Sequence, residues 1–243
     1  MARRLEKSGF WVLVTCQIFY PLAWLAKVRA RGAENIRREG GVLLVMNHVS
    51  HIDPPIDAVL VHRNGRVPRF LAKDSLFRTP VFKYMIRGAG SIPVYRASVN
   101  AGESLVAAKE ALLGGKFVVI YPEGTITRDP EGWPMRSRTG VARLALDCLE
   151  AGVPVLTAAR WGTRDILNAY TRKFRPFPRK TVQVDVSSPV DLSEFKGREI
   201  DNELLREVTD FLMTRVRDQL AELRGEPAPT QFYVSAKAKK TDG

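Results

Sequence analysis

The sequence predicts an α/β fold, a single domain with a mostly parallel central sheet flanked by helices. Three observations carry that expectation. Short apolar runs of strand length alternate with helical segments of about ten residues along most of the chain. Glycine, proline and aspartate fall where helices should start and stop. No internal repeat and no linker rich in Gly, Pro or Ser interrupts the 243 residues. Hydrophobic residues make up 45% of the chain, enough for a packed core and too many for a disordered one.

The elements follow in order. Residues 28–36 alternate in polarity and read as a short edge strand, and residues 41–46, GVLLVM, as a strand buried on both faces. Asp53 followed by Pro54 and Pro55 starts a helix that reaches about residue 62, with Asp53 as its N-cap. Residues 67–72 form the next strand, and 79–87 a helix closed by Gly88. Residues 92–95 are a strand, 101–113 a helix ended by Gly114 and Gly115, and 117–121 a strongly apolar strand. Residues 139–150 are amphipathic and closed by Gly152. Residues 153–159 and 181–186 are strands, and 200–223 a long helix. The expected organisation is an N-terminal segment (1–26), one domain (27–224) and a flexible C-terminal tail (225–243) that has lost all periodicity.

Residues 8–26, SGFWVLVTCQIFYPLAWLA, hold no charge and lie between Arg3, Arg4, Lys7 and Lys27, Arg29, Arg31. No small-residue cleavage site follows, as a signal peptide would need. Gln17 and Pro21 interrupt the run, and Trp11, Tyr20 and Trp24 favour a membrane interface. The preferred reading is a helix–break–helix lying in one leaflet with its basic flanks on headgroups. A full span and a core helix are the alternatives.

The net charge is +12, and it is clustered. Eight cations against Asp74 lie from Arg63 to Arg96, and seven against Asp165 from Arg160 to Lys180. Such clusters suit an anionic partner: a membrane surface, a phosphorylated substrate or nucleic acid. No nucleic-acid-binding motif accompanies them, so no nucleic-acid partner is expected. Cys16 and Cys148 read as free thiols, and no spacing of Cys and His suggests a metal.

In sheets of this kind chemistry gathers past the carboxyl ends of strands. Four polar positions fall there: NHVSHID after residues 41–46, Lys73 after RFLA, Arg96 after IPVY, and PEGT after FVVIY. A histidine acting as general base needs a second group to orient its ring. His48 and Asp53 are five apart and meet only if the chain turns between them, a turn that Pro54 and Pro55 favour. His51 reaches Asp53 only through a tight local turn. Spacing alone favours His48 and leaves His51 open as the alternative.

NHVSHID (residues 47–53) resembles the NHxSxxD signature of the glycerophospholipid acyltransferase superfamily, which includes the PlsC-like 1-acylglycerol-3-phosphate acyltransferases. GSIPVYR (90–96) is similar to its GxIxVxR block, PEGTITR (122–128) to part of its EGTR block, and VPVLTA (153–158) to its VPV-containing block. The resemblance implies His48 as the base for an acceptor hydroxyl and Asp53 as the group that orients it. Asn47 and Ser50 support them, and His51, at a variable position, becomes a surface residue. The hydroxyl then attacks the acyl thioester directly, in keeping with the lack of a GxSxG elbow and of a basic neighbour for either cysteine. Arg96, Glu123, Gly124 and Thr125 are implied phosphate or turn residues, and Lys73 a further cation for phosphate or carrier. Ile126 stands where the family has arginine, which leaves Arg128 or Arg138 to supply that charge.

The reaction so implied moves a fatty acyl chain from acyl-CoA or acyl-carrier protein to 1-acylglycerol-3-phosphate, giving phosphatidate at the cytoplasmic face of an anionic membrane. Neither a metal nor a bound cofactor is expected. The rivals are the same chemistry on another lysophospholipid or glycolipid, a thioester or lipid-ester hydrolase, and a non-catalytic protein that binds membranes or polyanions.

Overall fold

The computed structural model describes residues 6–80, 82–95 and 101–234. The chain runs through α1 (Phe10–Trp24), β1 (Ala26–Arg31), β2 (Val42–Met46), α2 (Asp53–Arg63), β3 (Pro68–Lys73), α3 (Phe82–Gly88) and β4 (Ile92–Val94). It continues through α4 (Ala101–Leu113), β5 (Phe117–Ile120), α5 (Gly140–Glu150), β6 (Val155–Trp161), the single turn α6 (Thr163–Ile166), β7 (Lys180–Val186) and α7 (Asn202–Arg224). One sheet has the strand order β1-β7-β6-β2-β5-β3-β4. Every neighbouring pair is parallel except β6 with β7. The carboxyl ends of β2 to β6 therefore share one edge, which is where a catalytic site belongs in such a sheet.

The strand β2, at the centre, shows how the sequence builds three layers. Alternate side chains of a strand point to opposite faces. Leu43 and Val45 pack with α4, α5 and α7, while Val42, Leu44 and Met46 pack with α2 and the end of α1. All five are fully buried, which explains an unbroken apolar run where a half-exposed strand would alternate. The helix α7 starts at Asp201, whose carboxylate accepts from Leu204 N–H at 2.7 Å, and ends at Gly225.

Four expectations change. The edge strand expected over residues 28–36 is β1, after which Ala33–Arg37 winds into a 3₁₀ turn. The helix expected from residue 79 starts at Phe82, because Thr79 precedes Pro80 and is held extended. No break occurs at Pro21: α1 is one helix of 15 residues, with Pro21 near its end. It packs on α2 and α3 as part of the domain, so closely that a Cβ on Gly88 would sit 2.1 Å from the Cβ of Trp11. Among the described residues no helix is long and apolar enough to cross a membrane.

Finally, the tail does not leave the domain at Gly225. Ala228 and Phe232 pack against core clusters, and Tyr233 bridges Met135, accepting a hydrogen bond from Arg136 N–H at 2.9 Å. Residues 235–243 lie outside the described set. Burial also thins the basic clusters. Arg66 is buried and donates to the carbonyls of Arg38, Gly40 and Gly115, and Arg160 is fully buried.

Candidate active site

At the end of β2 the backbone leaves the sheet, and Asn47 takes over its ladder. The Asn47 side chain accepts from Arg160 N–H at 2.8 Å and donates to Arg160 C=O at 3.0 Å. A buried amide thus replaces one rung between β2 and β6, leaving no orphaned backbone group on Arg160. Residue 48 is free to turn outward. Its backbone N–H donates to Glu123 Oε1 at 3.0 Å, and its carbonyl accepts from Thr127 N–H at 2.8 Å.

The chain then turns so that Asp53, the first residue of α2, comes back beneath the His48 ring. His48 Nδ1 lies 2.8 Å from Asp53 Oδ2. The same oxygen accepts from the backbone N–H groups of Val49 at 2.7 Å and Ser50 at 2.8 Å. Asp53 is therefore not the expected N-cap; that position is Ile52, and the carboxylate holds the preceding turn instead. Ser50 Oγ donates to Leu167 C=O at 2.6 Å, tying this turn to the segment after α6.

Asp53 is fully buried, and burial alone would push its carboxyl up. The Arg160 guanidinium, 2.9 Å away, and then His48 outweigh that and hold it well below the carboxylate range. An ionised Asp53 only accepts, so Nδ1 must donate, and in the neutral ring the lone pair is then on Nε2. Arg160 also donates to Asn47 C=O at 2.8 Å and pairs with Asp57 one helical turn along α2. Burial pushes the Asp57 carboxyl up against the pull of Arg160, and the Tyr121 hydroxyl donates to it at 2.5 Å. The Tyr121 ring stacks on His48, centroids 4.5 Å apart and planes 14° apart. The histidine is thus fixed by a carboxylate at Nδ1 and an aromatic face along its side.

Glu123 is buried. Its two oxygens accept from His48 N–H at 3.0 Å and Met135 N–H at 3.1 Å, so it is a strut beneath the β2 and β5 loops. Burial pushes its carboxyl up to about 8, ahead of the lowering from those two N–H groups. Such a group binds its proton more tightly folded than unfolded, so its contribution falls as pH rises from about 4.5 to about 8. Across that window the thermal midpoint should drop more steeply in the natural protein than in Glu123→Gln. Equal slopes would refute the buried, proton-binding assignment.

A cavity of about 540 Å³ opens beside His48, well within the size of ligand pockets. Its walls are mainly apolar, from Val12, Phe19 and Leu22 of α1, Val59 of α2, Phe70 of β3 and Met85 and Ile86 of α3. Lys73, His51, Gly124 and Thr125 also line it. His51 is exposed and makes no pairing with Asp53 among the described contacts, whereas His48 does. Ile126 is buried. Of its two basic substitutes, Arg138 lies against the motif: a Cβ on Gly124, whose φ is +68°, would stand 3.2 Å from Arg138 Nε. Arg128 is exposed. Arg96 lies outside the described residues.

Three groups escaped the sequence reading. Arg160 was counted with a surface cluster, and Asp57 and Tyr121 carried no role. One signal for Arg160 was present, a cation ending the apolar run VPVLTAAR, where a buried strand should not tolerate an unpaired charge. Both cysteines are free thiols as expected, and one of them departs from the expected lack of a basic neighbour. Burial pushes the Cys148 thiol up to about 12, but Cys16, on the cavity wall, has a histidine neighbour, its sulfur 3.7 Å from His62 Nδ1.

Comparison with known proteins gives a consistent picture. The Acyltransferase family matches residues 27–161. A 1-acyl-sn-glycerol-3-phosphate acyltransferase of Borreliella burgdorferi is 26% identical over 82% of this chain and 73% of its own. A lyso-ornithine lipid O-acyltransferase of Pseudomonas aeruginosa is 31% identical over 58% of this chain and 53% of its own. An N-acylphosphatidylethanolamine synthase of Arabidopsis thaliana is 25% identical over 62% and 56%. The crystal structure of the 1-acyl-sn-glycerophosphate (LPA) acyltransferase PlsC from Thermotoga maritima superposes with a TM-score of 0.62, at 24% identity, over 90% of this chain and 82% of that one. That likeness establishes a shared fold.

Proposed function

This chain belongs to the acyltransferase family, and on that premise we propose that it acylates the free hydroxyl of 1-acylglycerol-3-phosphate, using acyl-CoA or acyl-carrier protein as donor. The observation that carries the reading is the His48–Asp53 pair, 2.8 Å apart, beside a mainly apolar cavity of about 540 Å³ that His48 helps to line. A base beside a chain-sized apolar space suits a reaction that brings a lipid hydroxyl to a fatty acyl thioester.

In the proposed reaction His48 Nε2 takes the proton of the acceptor hydroxyl as its oxygen attacks the thioester carbonyl carbon. Asp53, kept ionised by Arg160, stabilises the imidazolium through Nδ1–H. The tetrahedral intermediate collapses with cleavage of the C–S bond, and the imidazolium returns its proton to the departing thiolate. No covalent acyl-enzyme, metal or bound cofactor takes part. The apolar walls accept acyl chain, and Lys73, Arg138 and Arg96 supply charge for phosphate. The protein works at the cytoplasmic face of a membrane.

The nearest alternative, another lysophospholipid or an aminoacyl lipid as acceptor, is favoured by Ile126 in place of the family arginine and by the lyso-ornithine lipid relative. A screen of purified protein with labelled acyl-CoA against lysophosphatidate, other lysophospholipids and lyso-ornithine lipid decides between them. Phosphatidate as the main product supports the proposal; product only from an acceptor without phosphate removes it. Arg138→Ala should raise KM for lysophosphatidate about tenfold with little change in kcat, because one cation to a phosphate oxygen contributes about 1.5–3 kcal/mol at most. Unchanged KM would place the phosphate elsewhere.

A further inference from the structure

The connection from α6 to β7 carries a cluster that the proposed chemistry does not use. Residues 170–180 read YTRKFRPFPRK, with five cations, and no carboxylate occurs over residues 166–184. Three aromatics are interleaved with those charges and stand in solvent, Tyr170 at 54%, Phe174 at 55% and Phe177 at 63% exposure. The segment has a definite shape. Leu167 bridges Phe174, Arg175 N–H donates to Ile166 C=O at 2.7 Å, and Asn168 N–H donates to Lys173 C=O at 3.1 Å. It projects from the sheet edge that carries His48, fastened there by Ser50 Oγ on Leu167 C=O and by the Tyr170 hydroxyl on Thr127 C=O.

Its surface continues onto α1. Trp24, itself 57% exposed, lies 6.4 Å from the Phe177 ring, and Arg179 sits 4.5 Å over Trp24 while donating to Ala26 C=O. Exposed aromatic rings set among cations match the interface of an anionic bilayer, where rings enter the headgroup layer and cations meet lipid phosphates. An acidic carrier protein would satisfy the cations but gives no reason for a row of exposed rings continuous with an apolar helix face.

We propose that residues 167–180 form a membrane-docking loop that places Lys173, Arg172 and Arg175 among anionic headgroups and Phe174 and Phe177 in the interface beside Trp24. Docking there turns the His48 edge toward the bilayer, which rests on the lipid-acyltransferase reading above. The loop works alongside α1, and the two together set the orientation of the domain.

The test measures sedimentation of the full chain with phosphatidylcholine vesicles, with and without phosphatidylglycerol. Each headgroup cation strengthens binding about fivefold, so Lys173→Gln with Arg175→Gln should weaken binding to anionic vesicles about thirtyfold. The same variant should keep the natural rate on a short-chain monomeric acceptor without vesicles, which also reports that it is folded. Phe174→Ser should weaken binding to both vesicle types. Undiminished binding of the charge variant to anionic vesicles overturns the proposal. So does a variant that keeps its lipid binding but raises KM for acyl-carrier protein, since the loop would then dock the donor. If vesicle binding falls as expected while no acceptor is acylated even by the natural protein, the docking loop stands and the transferase reading fails.

Discussion

Replacing Arg160 with methionine should lower folding stability by about 3–5 kcal/mol and remove most of the activity. Arg160 is fully buried, and its guanidinium serves Asp53, Asp57 and the Asn47 carbonyl at once. A methionine fills much of the same volume, so cavity formation is not the main loss. What remains is two buried carboxylates with no counter-charge, one of them holding three further hydrogen bonds at a single oxygen. Without the guanidinium, burial is free to push Asp53 toward its protonated form, and a protonated Asp53 no longer stabilises an imidazolium. Denaturant unfolding and the acylation rate test both halves. Adding Asp57→Leu to Arg160→Met should restore part of the stability and none of the rate. A single variant within about 1 kcal/mol of the natural protein would show that the buried network does not hold the fold.

His48→Ala should reduce kcat by about 10²–10⁴-fold, the usual contribution of a positioned general base. The fold should survive. The side chain is partly exposed, and its loss removes one hydrogen bond and one stacked ring pair, a penalty of about 1–2 kcal/mol. Because Asp53 keeps Arg160 and two backbone donors, its charge is not orphaned in the variant. A thermal midpoint lowered by only the few degrees that such a penalty implies, with a collapsed rate, would therefore assign the loss to chemistry. His51→Ala, on an exposed residue that pairs with no carboxylate among the described residues, should leave kcat within a few-fold.

The legible parts of this molecule are those that local pattern encodes. The five apolar residues of β2 demanded burial on both faces, and the Asp-Pro-Pro start of α2 placed the turn that joins His48 to Asp53. Spacing gave His48 only a small lead over His51, because either outcome depended on how the turn closed. The partners of Arg160 were illegible for a different reason. Its partners lie over a hundred residues away, and they meet only because β6 pairs with β2 in register Met46 to Ala158. Residue spacing carries no sheet order. The same holds for Glu123, whose strut role needs the position of Met135, and for Cys16, whose histidine neighbour is on another helix. For α1, the uncharged run was equally apolar whether it met lipid or protein. Its docking on α2 and α3 depended on Gly88 allowing Trp11 to approach. Alternation in β7 was also read correctly, but alternation is the same in either strand direction, so its antiparallel pairing with β6 could not be foreseen.

The central claim is direct transfer with His48 as the base and no acyl group on the protein. A single-turnover experiment tests it most closely: labelled acyl-CoA in slight deficit, mixed with the purified protein with and without lysophosphatidate, and quenched in acid. The account expects label to move to phosphatidate only when acceptor is present, no label on the protein at any time, and almost no transfer by His48→Ala. Label retained on the protein and abolished by Cys16→Ser, or full transfer by His48→Ala, would contradict it.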